Sequence, residues 1–436
     1  MGCVDVRRGD CTRQCWLSAL LLLAIGCTPD PETGPSIRVS LIGVDGATWR
    51  VLEPMLERGE LPHFARLIAE GVRGPLRSQK PLESPPVWTT IATGVSRERH
   101  GVVSMQIEGE LVSSRHRRSP ALWKIVSDAG LRSAVIGWWA TYPAEHIEGV
   151  IVSERALKTR ENDIRPLLAT AAPDSEVEAL VYPAESLGAL SDLLFREVDH
   201  SPDSDEKERV ATTMRLEDET VARALLRLRE RERPFALEMI LLRGVDPVSH
   251  FFWKFYEPSA PVYPAAERPT PEQVAAHGST VEDHYRYVDS LLGDLALDPS
   301  PRHVVMLISD HGFEAGRQPF RSGATLSGTY LTNAARDGIL IAAGGPFQRG
   351  RNMLGASILD VTPTVLHLLG LPVADNLEGR VWTVAFDPAW DSSHPVQKLA
   401  AYPGPPVALP KASPSGAPEL GADALRDELR ALGYIE

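Results

Sequence analysis

Val304-Val305-Met306-Leu307-Ile308-Ser309-Asp310-His311-Gly312 is a run of five apolar residues closed by a serine, an aspartate, a histidine and a glycine. A short, continuous apolar run bounded by turn residues reads as a strand buried on both faces. Two other runs end in the same manner. Asp45 follows Val39-Ser40-Leu41-Ile42-Gly43-Val44, and Asp246 comes shortly after Leu237-Glu238-Met239-Ile240-Leu241-Leu242. In an open parallel sheet the carboxyl ends of the strands border the crevice where ligands bind. Three carboxylates and an imidazole brought to that edge describe a metal site, because oxygen and nitrogen donors of this mixture suit a zinc-type ion.

Outward from these runs, strand and helix signals alternate, which predicts an α/β fold with a doubly wound, mostly parallel sheet and helices on both faces. Helices are expected over 53–70, 121–129, 214–232 and 280–295, and a strand over 133–137. The stretch 155–205 lacks a clear period and is expected to form a cap insertion beside the site. Residues 257–277, rich in proline and alanine, read as a long loop. Residues 391–418 read as a flexible linker, and 419–436 as a C-terminal helix that docks back. No internal repeat is visible.

The 436 residues carry 43% hydrophobic and 24% charged side chains, an ordinary globular composition with material for a large core. A formal net charge of −13 argues against binding a nucleic-acid polymer, which needs a basic footprint. All four cysteines, Cys3, Cys11, Cys15 and Cys27, precede residue 28, so the body has no disulfide and no thiolate metal site. Residues 17–26 form an apolar run preceded by Arg7, Arg8 and Arg13. That is too short to cross a bilayer and fits the apolar part of a signal peptide. Cys27 after Ala24-Ile25-Gly26 is similar to a bacterial lipobox, against the plainer readings of a simple secretory signal or a buried helix. The expected division is a lipoprotein-type signal over 1–27, a Pro/Gly tether over 28–36 and a catalytic domain over 37–390. The protein is then exported to the cell envelope and membrane-anchored through lipidated Cys27.

Each chemical motif has a plain structural alternative. Asp45 could cap a helix, Asp246 could form a turn and His311 could be a hydrogen-bonded core histidine. The alternatives are hard to hold for all three together. Asp246 and His250 are four apart, so on a helical turn they share a face, a good spacing for a zinc-type pair. Ser84-Pro85-Pro86-Val87-Trp88-Thr89-Thr90-Ile91-Ala92-Thr93-Gly94 starts a helix after a loop. A serine there, where helix N–H groups and a cation favour an anion, could attack phosphorus. It could also simply cap the helix, with Thr89 and Thr90 as buried polar residues.

Taken in order, Val44-Asp45-Gly46, the Ser84–Gly94 segment followed by His100-Gly101, Asp246 with His250, Ser309-Asp310-His311-Gly312, the run from Ser357 to Pro372, and Gly379-Arg380 resemble the alkaline phosphatase superfamily. The pattern is most similar to its type I phosphodiesterase/nucleotide pyrophosphatase branch, and covers about residues 38–385. The resemblance implies an alkaline-phosphatase-like fold and metal-dependent hydrolysis of a phosphate-ester substrate through a covalent phospho-serine. It implies two divalent metal ions, zinc by the donor set. Asp45, Asp310 and His311 match the ligands of one, with the nucleophile Ser84 on it, and Asp246 and His250 match two ligands of the other. A sulfatase would need an arginine where Trp88 stands, so formylglycine maturation is not expected. The chain departs from the family at Ser327-Gly328-Thr329-Tyr330, where Tyr330 takes the place of a third histidine. A phenol, with a reference pKa near ~10, is a poor ligand at neutral pH. The second ion is therefore expected to bind weakly, to use water or Asn333, or to be absent. Alternative functions are a catalytically weakened member that binds a phosphorylated ligand, and an envelope phosphotransferase.

Overall fold

The computed structural model describes residues 37–158, 175–196, 203–319, 325–403 and 421–431, with a few single positions between them. The chain divides into two units, 1–34 and 35–436. The first unit, and with it the expected signal, Cys27 and most of the tether, lies outside the described residues. Among the described residues no helix is long and apolar enough to cross a membrane.

Among the described residues ten strands form one sheet. Its order is Arg351–Asn352, Gly71–Arg77, Gly338–Ala343, His303–Ile308, Arg38–Val44, Leu237–Leu242, Ser133–Ile136, Gly149–Val152, Val181–Tyr182, and Ala356–Ser357 pairs beside Gly71–Arg77. The five central strands from His303–Ile308 to Gly149–Val152 run parallel. Gly338–Ala343 and Val181–Tyr182 join antiparallel. The expected α/β class and mostly parallel sheet are therefore present.

Helices cover both faces, and the alternation of side chains along each strand separates two cores. Ile42, Val44, Ile240 and Leu242 pack with Leu52, Phe64, Leu225, Phe252 and Tyr285 on one side. Val39, Leu41, Met239 and Leu241 pack with Trp88, Ile91, Trp138 and Val365 on the other. Strands buried on both faces carry no polar alternation, which is why the three diagnostic runs read as continuous apolar segments. The register then sets the site. Gly43 pairs with Ile308 and Val44 with Leu242, so the residues that follow all leave the sheet at one edge.

Several local expectations change. Residues 53–70 form two helices, Trp49–Glu57 and Pro62–Ala69. Gly59 turns the chain at φ +72°, and Pro62, which lacks an N–H, opens the second helix. The charged helix runs over Glu206–Arg231, earlier than apolar spacing alone suggests. Asp205 accepts from the Glu208 amide while the Glu208 carboxylate accepts from the Asp205 amide, a reciprocal cap. The 257–277 stretch contains a helix, Pro271–His277, started by Thr270 with Gln273. In the expected cap, 159–174 lie outside the described residues, but Val181–Tyr182 extends the main sheet and Leu187, Leu190, Leu193 and Leu194 of helix Leu187–Leu194 are buried in the core. This part is thus core, placed there by its i, i+3, i+6, i+7 leucines. Of the expected linker, 391–403 is ordered through helix Pro388–Ser393 and the Lys398–Leu399 strand paired with Val373–Ala374. Positions 404–420 are outside the described residues, and helix Ala422–Ala431 follows.

Candidate active site

The sheet edge brings the six candidate residues into one cluster, each at most 4% exposed. Asp45 leaves its strand and its amide donates to Leu242 O at 2.9 Å. Gly46 takes φ +71°, and a side chain there would also press on Asp246, whose Cα and Cβ lie 3.1 Å from the would-be Cβ. The Gly46 amide donates to Asp310 Oδ1 at 3.2 Å. Asp246 stands in the first turn of helix Val245–Tyr256, with His250 one turn on and His250 Nε2 3.6 Å from Asp246 Oδ1. His311 Nε2 is 3.4 Å from Asp310 Oδ2, 3.7 Å from Asp45 Oδ1 and 3.8 Å from Asp246 Oδ1.

Ser84 does not cap its helix. Glu83 occupies the cap position of Ser84–Thr93, and Ser84 Oγ instead lies 3.4 Å from Asp45 Oδ1, to which it donates. The other Asp45 oxygen accepts from Trp88 Nε1 at 3.0 Å, so one helix supplies both hydroxyl and indole to the same carboxylate. Ser84 and Trp88 are four apart and share a helix face. Thr89 Oγ1 donates to Pro85 O and Thr90 Oγ1 to Pro86 O, so both hydroxyls are occupied by their own helix.

The donor set fits a cation. His250 Nδ1 is 3.1 Å from Gly328 O and His311 Nδ1 3.0 Å from Gly312 O. A carbonyl only accepts, so each Nδ1 carries the proton and each Nε2 presents a lone pair. Burial holds the His250 imidazole neutral, pushing its pKa down against the raising effect of Asp246. Lone pairs facing carboxylate oxygens repel unless a positive charge lies between them, and fixing a ligand histidine through its other nitrogen is the usual outer support of a metal centre. Among the described residues Asp310 Oδ2 and His311 Nε2 are buried with no hydrogen-bond partner. Ligand atoms of Asp45, Asp246 and His311 all lie within 4.8 Å of one another. This trio takes a member from each of the two ligand sets expected from the sequence.

Without a cation the cluster holds protons. Burial, with Asp246 adding to it, pushes Asp310 up to about 8, and burial with Asp310 and Asp246 raises Asp45 well above the carboxylate range. An unfolded carboxyl titrates near ~3.9. Between those values the folded chain keeps a proton that the unfolded chain has released. Stability of the metal-free protein is therefore expected to fall as pH rises from about 4 to about 8, at up to about 1.4 kcal/mol per pH unit for one proton. Zinc, by displacing the protons, should flatten that slope. Melting curves recorded across this range with chelator and with zinc check it; a pH-independent melting temperature in chelator would contradict it.

Tyr330, buried, occupies the centre of this region. Its ring centroid is 4.2 Å from that of His311 and 5.4 Å from that of His250. Neither spare histidine replaces the missing ligand. His277 packs on Phe252 and Phe255, and His367 packs on Phe386 and Trp390 in the core of the opposite face. Asn333, offered by the sequence as a substitute, is exposed. The chain turns outward just past strand Thr325–Thr329, with Tyr330 buried and Leu331 and Asn333 exposed.

The sequence profile of the family described as type I phosphodiesterase / nucleotide pyrophosphatase matches residues 39–352. The chain belongs to the type I phosphodiesterase / nucleotide pyrophosphatase family. No curated protein matches it. Similar solved structures of other proteins include human ectonucleotide pyrophosphatase / phosphodiesterase 5, with 13% identity, TM-score 0.48, and 80% of this chain and 98% of that one covered. The murine counterpart, an inactive variant in complex with AMP, has 14% identity, TM-score 0.45, and coverage of 77% and 95%. A 2-O glycosaminoglycan sulfatase has 14% identity, TM-score 0.48, and coverage of 85% and 76%. Type I phosphodiesterase / nucleotide pyrophosphatase members are phosphate-ester hydrolases of the alkaline phosphatase superfamily, in agreement with the resemblance.

The sequence did not point to several residues around the centre. Asp218, on helix Glu206–Arg231, accepts from the Arg243 and Gly244 amides at 2.8 and 3.3 Å and pairs with His284 at 3.0 Å, holding the turn that leads to Asp246. Trp88 has an apolar reading in sequence, and its link to Asp45 depends on the approach of helix to strand end. The signal for Asp218 is a polar group, with Glu217 and Thr220, on the buried face of a helix whose other buried residues are apolar.

Proposed function

We propose that the protein is a metal-dependent phosphodiesterase or phosphatase in which Ser84 Oγ attacks phosphorus. The observation that carries this is the Ser84 hydroxyl directed at Asp45, beside two imidazole lone pairs that face carboxylates. Asp45, Asp310 and His311 would hold one divalent ion, and Asp246 and His250 a second. Bound there, such ions neutralise charge on the attacking and leaving oxygens. Asp45, itself held by Trp88, orients the serine. In the first half-reaction the Ser84 Oγ–phosphorus bond forms as the phosphorus–leaving-group bond breaks, and the serine proton passes to solvent or to the leaving alkoxide. Water then attacks phosphorus, the bond to Ser84 Oγ breaks, and the serine is restored. Zinc-loaded protein should hydrolyse aryl phosphate diesters or monoesters, and chelation should abolish the reaction. Inactivity on both at full zinc occupancy would overturn the proposal.

Tyr330 favours a second reading, a weakened member that binds a phosphorylated ligand with little turnover. Two protein ligands leave a zinc ion short of the three usual at a catalytic site. Tyr330→His separates the readings. It is expected to raise zinc content towards two ions per chain, and to raise hydrolysis where the second ion limits the rate. Unchanged zinc content would show that position 330 does not govern that ion.

We further propose export and lipid anchoring at Cys27, supported by the charged and apolar pattern before it. Cys27→Ser should release the exported chain from the membrane fraction; release already seen without the change would contradict this.

A further inference from the structure

Among the described residues, Arg243 Nη1 and Trp139 Nε1 are buried donors near the centre without a hydrogen-bond partner, and Arg243 Nε, though close to Glu217, makes no hydrogen bond either. Arg243 directly follows the Leu237–Leu242 strand and is 4% exposed. Its Nη2 donates to Glu428 Oε1 at 2.6 Å, and its Nε lies 3.1 Å from Glu217 Oε1. Its guanidinium carbon lies 4.7 Å from the centre of the Trp139 ring. Lys158 completes the cluster by pairing with both Glu217 and Glu428. Two cations and two carboxylates thus balance, and they lock the guanidinium in one orientation. Among the described residues, Arg243 Nη1 is nevertheless buried without a hydrogen-bond partner, and so is Trp139 Nε1. Trp139 is itself 4% exposed. A buried donor left unpaired costs free energy, and nearly all are satisfied in folded proteins. Two of them in one stacked pair leave room for an acceptor from outside the chain.

The fold puts the pair on the nucleophile's side of the centre. Val44 pairs with Leu242 and the Asp45 amide donates to Leu242 O at 2.9 Å, so Asp45 and Arg243 are the residues that follow the last paired positions of two adjacent strands. Trp139 follows Trp138, whose Nε1 donates to Trp88 O at 3.1 Å, and Trp88 stands one turn from Ser84. Burial alone would lower the Arg243 pKa. The carboxylates of Glu217 and Glu428, with Asp45 and Asp218 beyond them, keep it raised, so the group stays charged.

We propose that Arg243 Nη1 and Trp139 Nε1 form an oxyanion-binding pair that takes a non-bridging oxygen of the substrate's phosphoryl group. This rests on the proposed phosphoryl chemistry at Ser84. The ion-pair cluster supplies orientation rather than net charge, and the attraction for the anion comes from the metal centre next to it. An arginine edge and an indole N–H both only donate, so the pair accepts an oxyanion and rejects a cation or an amide N–H.

The test is calorimetric binding of inorganic phosphate to zinc-loaded protein, which needs no turnover. Trp139→Phe keeps the ring under Arg243 and removes only the donor. It is expected to leave the melting temperature unchanged or slightly raised, since the lost N–H had no partner, and to weaken phosphate binding roughly tenfold, the effect of one hydrogen bond to a charged group. Arg243→Lys, which keeps the charge and loses the planar fork, should weaken it at least as much. If Arg243→Lys does not fold, Trp139→Phe decides alone. Wild-type phosphate affinity in Trp139→Phe would overturn the proposal, as would a zinc-loaded wild type that binds no phosphate. Phosphate binding that depends on Trp139 in a protein that hydrolyses no ester would sustain the pair and sink the hydrolase reading. Hydrolysis with unaltered KM and phosphate affinity in Trp139→Phe would do the reverse.

Discussion

Ser84→Ala is expected to lower ester hydrolysis by at least ~10³-fold, because a covalent route has no substitute for its nucleophile. The hydroxyl sits at the start of the Ser84–Thr93 helix and donates to Asp45 at 3.4 Å. Removing it breaks one long hydrogen bond and leaves Asp45 Oδ2 still accepting from Trp88. The effect on folding should therefore stay within about 1 kcal/mol. The measurement is steady-state hydrolysis of aryl phosphate esters alongside a melting curve. The two neighbouring hydroxyls offer a clear contrary outcome. If Ser84→Ala retained most of its activity and Thr89→Ala or Thr90→Ala lost it, the nucleophile would be misassigned. Their bonds to Pro85 O and Pro86 O argue against that, since a hydroxyl must leave its carbonyl before it can attack.

Asp310→Ala is expected to remove about one zinc ion per chain and to abolish activity, without a matching loss of stability. Asp310 Oδ2 makes no hydrogen bond among the described residues, and its carboxyl, buried beside Asp246, is pushed up to about 8. Such a group opposes the metal-free fold above its unfolded pKa and becomes favourable only when a cation neutralises it. Oδ1 does accept from the Gly46 amide at 3.2 Å, and that bond is lost. The two effects oppose each other. In chelator above about pH 7 the variant should melt no lower than wild type. With zinc present the order should reverse, because wild type gains binding free energy that the variant cannot. Elemental analysis and paired melting curves decide this. Equal zinc content in the two proteins, or a wild type fully active without metal, would refute it.

How much of this was legible in the chain varies by residue, for identifiable reasons. The three strands were readable because a strand buried on both faces is apolar almost throughout; the polar exceptions Ser40 and Glu238 satisfy each other by a hydrogen bond between adjacent strands. Asp45, Asp310 and His311 were readable because polar residues at the end of such a run emerge at the sheet edge, and Asp246 because it follows its run within one helical turn. Pairing of Asp246 with His250 followed from helical spacing. The boundary at 53–70 changed because Gly59 and Pro62 break one amphipathic stretch into two helices, and 187–194 joined the core because its leucines form one buried stripe.

The amino-acid sequence by itself determined the α/β class, the family and the set of side chains delivered to one edge, because each depends on periodicity, motif order and strand ends that local chemistry sets. Only the tertiary structure decided that Ser84 turns to Asp45 rather than to its own helix, that Tyr330 lies on His311 with no other histidine in its place, and that Arg243 and Trp139 stack with unpaired donors. Those outcomes depend on which strands become neighbours and in what register. Residues such as Trp139 and Arg243, about a hundred positions apart in the chain, meet only when the sheet forms.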